Sequence, residues 1–391
     1  MLRSRKAGLI SGDVLVSQQV CQNRELMRIA LSAAVVFAFI VAGVAYPRSA
    51  TTPTTLVVAK GTIAAFAQDG GRISWASIDP GKTCPWLVRV RTLSTSKQKA
   101  VNSQTGPTCH SDTGFDPSHQ TDLALAGERA LWTLHNFGND TYVQLVTGSL
   151  STKPDVQLQE LVFSNAWDDG DHLGGIAGDG STLVYGVVHV AVQGPVDCGD
   201  EVACQVIVSG GGVRRVTGAA WVPVPYAPPS VFVAASGSRI ALVVAAVAEP
   251  KIGAGAHPRV EVRGAVNGNL VGTFSPSGEP KAIALSPIVV AVLVSARSGK
   301  RIEFHSHSGA LLRTVTVPAL ATGLSTTSTR AVFSVGKSIR VVNVASGTVT
   351  TVATAAATPV GLSIEGTRVA WAENVMIGGT SRGRIQTMVV P

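Results

Sequence analysis

One pattern of hydrophobic and polar positions recurs along the chain. A small or turn residue is followed by a basic or polar residue and then by apolar residues, usually with an aromatic one among them. The copies read GGRISWAS, GERALWTL, GSTLVYGV, GSRIALVV, SPIVVAVLV, STRAVFSV and GTRVAWAE, with Trp75, Trp132, Tyr185, Leu242, Val292, Phe333 and Trp371 at the aligned position. Each copy predicts a buried strand that follows a tight turn.

A second pattern follows the first at a shorter distance. It places Ser, Thr or Asn before Gly between two alternating strands, at Thr147-Gly148, Ser209-Gly210, Asn267-Gly268, Ser308-Gly309 and Ser346-Gly347. Such dipeptides supply the positive φ of tight hairpins, so we expect each to be the turn between the last two strands of a repeat. The longer spacings of the third and fourth copies indicate insertions around residues 198–204 and 250–258.

The two ends of the repetitive region complement each other. The last copy continues through RIQTMVV to Pro391 without a fourth strand, and Thr54 to Ala59 predicts an additional strand ahead of the first copy. We expect this strand to complete the last repeat, because closure of a ring removes exposed sheet edges. The prediction is an all-β, seven-bladed β-propeller of four-stranded antiparallel blades, preceded by one N-terminal hydrophobic helix.

The best-defined repeats resemble a known family. GLSIEGTRVAWAEN and SIRVVNVASGTVTTVA are similar to the repeats of bacterial WD40-like and TolB-like propellers, and the resemblance covers residues 54–391. The GH and WD dipeptides of WD40 repeats proper are missing. Propellers of this kind include protein-interaction scaffolds, hydrolases and lyases, so the resemblance implies a fold and leaves the function open.

The N-terminal region has the charge pattern of a membrane-targeting segment. Residues 29–46 are apolar and uncharged, and half of the formal net charge of +8 lies within residues 1–50. Residues 1–28 are then a basic cytoplasmic tail, 29–46 a transmembrane anchor, 47–53 a linker and 54–391 the propeller outside the cytoplasm. The alternative is a secreted protein whose signal peptide starts at Met1 or Met27 and is cleaved near Gly43 and Ala45. This charge distribution argues against nucleic-acid binding.

Cysteine positions agree with an oxidising compartment. Cys21 precedes the apolar segment, whereas Cys84, Cys109, Cys198 and Cys204 follow it. We expect local disulfides, Cys84 with Cys109 and Cys198 with Cys204. Zinc is disfavoured because no CxxC sequence or adjacent histidine pair accompanies these residues.

Several short motifs suggest chemistry but have a simpler structural interpretation. Residues 379–383 match G-x-S-x-G, although no helix is predicted after Ser381, so we expect a loop. Asp168, Asp169 and Asp171 are weak calcium candidates in an acidic turn. His305 and His307 have the spacing of two metal ligands on one strand face, and we favour an exposed blade edge. Trp86, Trp167 and Trp221 lie outside the aligned position and are candidates for a surface site.

The absence of a catalytic or cofactor motif favours binding. We expect no cofactor, no resident metal, a monomer, and a protein, peptide or glycan partner recognised at the loop-bearing rim. The alternative is a propeller hydrolase or lyase whose ionisable residues converge from several blades at the central channel. Convergence of such residues at one mouth of the channel would distinguish the two.

Overall fold

The computed structural model describes residues 52–79, 86–102, 122–137, 140–151, 155–164, 169–193, 205–248 and 251–391. Within these ranges the chain forms β-strands and no helix. None of the described segments is therefore a helix able to cross a membrane. The predicted N-terminal helix and all five cysteines lie outside the described residues.

Five separate four-stranded antiparallel sheets form blades. The first blade contains β2 (Thr62–Asp69), β3 (Arg72–Ile78), β4 (Trp86–Thr92) and β5 (Gln98–Ala100). The second contains β14 (Ser230–Ser236), β15 (Arg239–Val244), β18 (Val260–Gly264) and β19 (Leu270–Phe274). The third contains β20 (Glu279–Leu285), β21 (Val289–Ala296), β22 (Gly299–Ser306) and β23 (Leu311–Val317). The fourth contains β24 (Ala321–Thr326), β25 (Arg330–Val335), β26 (Ser338–Asn343) and β27 (Val349–Thr354).

The fifth blade joins the two ends of the repetitive region. It contains β28 (Pro359–Glu365), β29 (Arg368–Ile377) and β30 (Thr380–Val389), and its outer strand is β1 (Thr54–Val58). Thr54 pairs with Thr387 and Val58 with Arg384. The hydrogen bonds of β1 thereby occupy the outer edge of β30 and connect the beginning of the described chain to its end.

The remaining strands form one eight-stranded sheet. In chain order they are β6 (Leu123–Ala126), β7 (Arg129–Phe137), β8 (Asp140–Ser149), β9 (Val156–Ser164), β10 (Gly170–Asp179), β11 (Thr182–Gln193), β12 (Gln205–Thr217) and β13 (Ala220–Pro223). A small hairpin of β16 (Ala246–Ala248) and β17 (Lys251–Gly253) lies between β15 and β18 and contacts β12.

The predicted count of seven separate blades is therefore wrong. The strands expected to form the second and third of seven blades belong to a single sheet, which the pairing of Phe163 with Gly170 makes continuous. A side chain at position 170 would place its Cβ 2.3 Å from the carbonyl oxygen of Val162, so glycine permits this close approach of the two backbones. The propeller architecture itself is confirmed.

The inner strands close into a ring. β2, β6, β10, β14, β20, β24 and β28 each pack against the next in this order, and β28 packs against β2. The residues at the aligned repeat position all lie in the second strand of their set and are at most 1 % exposed. Large aromatic side chains such as Trp75, Trp132 and Trp371 thus fill the space between neighbouring sheets, as expected from their recurrence.

Three of the five predicted hairpin dipeptides are turns between third and fourth strands. Asn267-Gly268, Ser308-Gly309 and Ser346-Gly347 connect β18 to β19, β22 to β23 and β26 to β27, and all three glycines have positive φ. Thr147-Gly148 and Ser209-Gly210 instead lie inside β8 and β12, so those two predictions are wrong.

Close packing and a bulge explain these two exceptions. A Cβ at position 148 would lie 3.0 Å from the ring of Trp132 and 2.4 Å from the carbonyl oxygen of Val101. Gly210 adjoins a β-bulge opposite His189.

Candidate binding faces and central channel

The ring has two faces with different connections. A set is the four strands of one blade or of one half of the eight-stranded sheet. At one end of the ring, which we call the turn face, a turn connects the first strand of each set to the second and another connects the third strand to the fourth. Its connections are short, and the longest runs from residue 150 to 155. At the opposite end, the insertion face, second strands lead to third strands and fourth strands lead to the next set. The long connections 79–85, 101–122, 194–204 and 245–259 all leave from this insertion face.

The inner strands line a central channel. The channel contains a cavity of about 250 Å³. Small or apolar residues from each inner strand line it, among them Ala67, Ala124, Ala177, Val233, Ile283, Leu324 and Leu362. Asp69, Asp179 and Glu365 also line it at the turn face. Ionisable residues from several sheets therefore do converge at one mouth of the channel.

Each of these carboxylates accepts hydrogen bonds from the turn of another sheet. Gly127 and Gly180 donate their backbone N–H groups to Asp69, each at 2.8 Å. Gly237 donates to Asp179 at 2.8 Å. Gly71 donates to Glu365 at 3.0 Å, which connects the first blade to the fifth. The three acidic side chains form what we call the carboxylate latch, because they connect neighbouring sheets around the turn face.

Basic residues extend these connections. Arg72 donates from Nη1 to the carbonyl oxygen of Gly127 at 3.0 Å, and its Nη2 lies 3.2 Å from the exposed carboxylate of Glu128. Arg239 contacts Nδ1 of His307, whose Nε2 lies 2.9 Å from the carbonyl oxygen of Ser286. Side chains at the beginnings of second strands thus contact the turns of the next sheet.

The two aspartates of the latch influence each other. Burial raises the pKa of Asp69, the N–H groups of Gly180 and Gly127 oppose this shift, and the charge and hydrogen bond of Asp179 add to it. Two carboxylates in contact could share a proton, which is an arrangement that some hydrolases use. Here both oxygens of Asp69 accept backbone N–H groups, so the described geometry favours a structural role for the pair.

A groove on the turn face marks the junction of the first and fifth blades. We call it the seam groove; its cavity volume is about 590 Å³, and Arg72, Glu365, Arg368, Ser94 and Thr367 are among its lining residues. Arg368 is half-buried, and its side chain makes no hydrogen bond or ion pair within the described part of the chain. The seam groove therefore offers one unpaired guanidinium, together with hydroxyl groups suited to an anionic or polar group.

The weak calcium candidates are not assembled into a site within the described residues. Asp168 lies outside them, Asp169 is exposed, and Asp171 contacts Nδ1 of His189 at 3.0 Å. No group of three or more potential metal-ligating side chains occurs in the part of the chain that the structure describes. The partner of Asp171 is thus a histidine from the adjacent strand, which sequence analysis missed.

The histidine pair is buried, so the expectation of an exposed blade edge is wrong. His305 is 4 % and His307 6 % exposed. His305 stacks on Phe274 and approaches Glu303 at 3.3 Å. Burial raises the pKa of Glu303, but hydrogen bonds from His305 and Ser277 and the charges of His305 and Arg301 outweigh it and lower the pKa overall. The two histidines of the third blade thus contact the second blade at two places, His305 at Phe274 and His307 at Arg239.

The remaining sequence candidates have structural positions. The loop expected for the G-x-S-x-G match is wrong, because Ser381 lies exposed within β30 and pairs with Met376 of β29. The residues after Ser381 continue this strand, so the strand-to-helix turn of a nucleophile elbow is not formed. Trp221 is half-buried beneath the guanidinium of Arg214, which lies 4.0 Å from the ring centroid. Trp167 and the cysteines lie outside the described residues, and Trp86 is the first residue of β4.

The carboxylate latch had a recognisable signal in the sequence. Asp69, Asp179 and Glu365 each stand directly before a glycine, one residue ahead of the recurring phrase that predicted the second strands. The phrase itself predicts the buried strand and does not include this acidic position. An acidic residue before a tight turn is an available acceptor for backbone N–H groups of a neighbouring turn.

Comparison with known proteins finds similarity to solved propeller structures. No protein-family model and no curated protein matches the chain. Among solved structures, it is similar to the Dos1 propeller, with 8 % identity, 87 % of this chain and 95 % of that chain covered and a TM-score of 0.42. It is also similar to Sqt1 of Saccharomyces cerevisiae, with 9 % identity, 83 % of this chain and 82 % of that chain covered and a TM-score of 0.45.

BamB from Moraxella catarrhalis is also similar, with 10 % identity, coverage of 86 % of this chain and 99 % of that chain, and a TM-score of 0.41. That the chain is a bacterial WD40-like or TolB-like propeller stays a prediction. At these identities the similarity concerns the propeller fold alone.

Proposed function

We propose that the chain is an exported, single-pass membrane protein whose propeller is a binding or scaffold module for a protein, peptide or glycan. Residues 29–46 anchor it, and the insertion face recognises the partner. A secreted form, released by cleavage of a signal peptide, would carry the same module. The segment that decides between these forms lies outside the described residues.

The distribution of connections carries this proposal. Short turns occupy the turn face, whereas the long connections begin and end at strands of the insertion face, including the three connections that contain the cysteines of the two predicted disulfides. Variable loops positioned by a rigid scaffold are a common basis of recognition. Exposed apolar side chains of the insertion face, Leu320 at 74 % and Met376 at 69 %, suit contact with a partner.

The carboxylates at the channel weaken the enzymatic alternative. They satisfy the convergence expected of a catalytic site, but Asp69, Asp179 and Glu365 accept backbone N–H groups of neighbouring turns. A general acid or base must reach its substrate, and these oxygens are held against the scaffold. Binding is therefore the function that the described geometry supports best.

Site-specific photo-crosslinking in living cells tests the proposal. A photoreactive amino acid would replace Leu320, Met376 or Arg297 on the insertion face, and Ile288 or Thr367 on the turn face as matched positions. All five side chains are exposed, so accessibility to solvent does not distinguish the two sets. The products would be analysed for discrete, reproducible adducts of higher mass.

We expect discrete adducts with a macromolecular partner from the insertion-face positions only. Adducts that arise only at Ile288 or Thr367, or no adduct at any position, would contradict recognition by the insertion face. Fractionation of the same cells reports separately on the compartment.

A further inference from the structure

Side chains at the beginning of second strands contact the next set of the ring. Arg72 begins β3 of the first blade; its Nη1 donates to the carbonyl oxygen of Gly127, and its Nη2 lies 3.2 Å from the carboxylate of Glu128. Gly127 and Glu128 form the first turn of the following set, between β6 and β7. Thr182, at the same position of β11, contacts the carbonyl oxygen of Gly237 in the second blade. A donor at this position therefore binds the turn of the next set at both junctions.

Arg368 has the same position but lacks this partner. It begins β29 of the fifth blade, and the next set in the ring is the first blade, because β28 packs on β2. The turn that corresponds to Gly127 and Glu128 is there formed by Gly70 and Gly71, so the acidic side chain is replaced by a hydrogen atom. The fifth-to-first junction thus has the arginine of this contact without the acid, and the Arg368 side chain makes no hydrogen bond or ion pair within the described residues.

The missing side chain leaves open space in the seam groove. A Cβ at position 71 would meet no atom within 4 Å other than its chain neighbours, and Gly70, Gly71 and Arg368 all line the groove. Its volume of about 590 Å³ lies within the usual range of small-molecule sites. Because Arg368 is half-buried, its guanidinium has lost part of its hydration without gaining an acceptor. A carboxylate from outside the chain would supply that acceptor.

The carboxylate of Glu365 in the same groove has other partners. Both of its oxygens accept the backbone N–H of Gly71, at 3.0 and 3.2 Å, and Oε2 also accepts from Nε2 of Gln68 at 3.1 Å. Glu365 is therefore held against the turn of the first blade. The described lining contains Arg72 and Arg368 beside this one acid, which leaves it a net positive charge for an incoming anion.

Free hydroxyl groups accompany the guanidinium. Thr92, Ser94 and Thr367 line the groove, and their side-chain hydroxyls make no hydrogen bond within the part of the chain that the structure describes. A hydroxyl both donates and accepts, so these groups match the hydroxyls of a sugar ring. Leu93 and Val389 add apolar surface for the C–H face of such a ring. A sugar that carries a carboxylate would use both the charge and the hydroxyls.

We propose that the seam groove binds a small acidic sugar, whose carboxylate pairs with Arg368 in the place that the Glu128 side chain takes beside Arg72. Its ring hydroxyls bond to the hydroxyls of Ser94 and Thr367. The ligand thereby contacts the first and the fifth blade together. This inference goes beyond the proposed function, because the seam groove lies on the turn face and the partner proposed above binds the insertion face.

Calorimetric titration of the full chain, in a detergent without a sugar head group, tests this site. The probe is D-glucuronate, and D-glucose, acetate and N-acetyl-L-glutamate at equal ionic strength separate its features. Glucose lacks the carboxylate, acetate lacks the hydroxyls, and N-acetyl-L-glutamate presents carboxylates in a peptide-like molecule. We expect glucuronate to bind more tightly than all three, and at least about tenfold more tightly than glucose, because hydrogen bonds to charged groups are the stronger ones.

Two neutral substitutions in the fifth blade provide a matched comparison. Arg368→Gln removes the partner of the carboxylate, whereas Arg382→Gln removes an exposed arginine at the insertion-face end of β30. We expect Arg368→Gln to weaken glucuronate binding about tenfold to a hundredfold and Arg382→Gln to leave it unchanged. Ser94→Ala, at an exposed position that tolerates the change, should weaken glucuronate binding by roughly two- to tenfold and leave acetate binding unchanged.

Several results would overturn the inference. Glucuronate that binds no more tightly than glucose, or an equal loss of binding in Arg368→Gln and Arg382→Gln, would exclude the carboxylate contact. Acetate that binds as tightly as glucuronate would reveal an adventitious ion only, and tighter binding of N-acetyl-L-glutamate would assign the groove to a peptide carboxylate. None of these results bears on photo-crosslinking at the insertion face, so the two proposals can fail separately.

Discussion

Removal of Asp69 from the carboxylate latch should loosen the contacts among three sets of strands. Its two oxygens accept the N–H groups of Gly127 and Gly180, each at 2.8 Å, although Asp69 itself belongs to the first blade. Asp69→Ala leaves two backbone donors without this acceptor. Asp69→Asn keeps the shape of the side chain but replaces one acceptor by a donor.

The expected magnitude follows from two opposing contributions. A hydrogen bond to a charged acceptor contributes roughly 1.5–3 kcal/mol, so loss of two would cost about 3–6 kcal/mol in isolation. The variant also removes the burial cost of the Asp69 carboxylate and its repulsion with Asp179, both of which raise the pKa of Asp69. We therefore expect Asp69→Ala to lower the free energy of unfolding by about 2–3 kcal/mol, and Asp69→Asn by about half as much.

Urea-induced unfolding of the detergent-solubilised full chain, followed by far-UV circular dichroism, measures this difference. Glu128→Ala is the control, because it removes an exposed carboxylate of the same face whose pair with Arg72 is worth at most about 1 kcal/mol. If Asp69→Ala shifts the free energy of unfolding no more than Glu128→Ala does, the latch does not connect the sheets energetically.

Three further predictions concern individual side chains. Burial lowers the pKa of His307, the hydrogen bond to Ser286 opposes this shift and the charge of Arg239 adds to it. Below pH 6.5 His307 binds a proton in the unfolded chain but not yet in the folded chain, so the free energy of unfolding should fall as the pH decreases through and below 6.5. In thermal unfolding, His307→Asn should therefore show a weaker pH dependence than the unchanged protein. Gly148→Ala should cost about 1–3 kcal/mol in urea unfolding because its Cβ meets the carbonyl oxygen of Val101 and the ring of Trp132. Gly210→Ala, whose nearest neighbour would lie at 3.7 Å, should cost much less. A fluorophosphonate probe should label the chain and Ser381→Ala equally, and labelling that Ser381→Ala abolishes would reveal a nucleophile.

The period of the apolar residues was sufficient to predict the propeller. Strands buried between two sheets need large apolar residues at one repeated position, and this requirement placed Trp75, Trp132 and Trp371 correctly in the core. The number of separate blades was not readable in the same way. Whether two neighbouring sets of strands merge depends on one close backbone approach at Gly170, which leaves no periodic signal.

The polar connections were harder to predict because they depend on distances between repeats. An acidic residue before a turn has the same sequence context whether it faces solvent or, as Asp69 does, accepts N–H groups from turns more than fifty residues away. His305 and His307 were expected at an exposed edge since their alternation fits either environment. Their burial follows from the neighbouring sheet, through Phe274 and Arg239, and no local pattern reports it.

Labelling of introduced cysteines in intact cells tests the central claim most directly. Arg382→Cys on the insertion face and Thr367→Cys on the turn face would each be placed in the full chain with Cys21→Ser, and exposed to a membrane-impermeant maleimide. Both positions are exposed in the isolated propeller. We predict rapid labelling of both positions in intact cells, above the background of the Cys21→Ser chain. If neither position is labelled until the cells are lysed, the propeller is not outside the cytoplasm and the account of a tethered, outward-facing binding module is wrong.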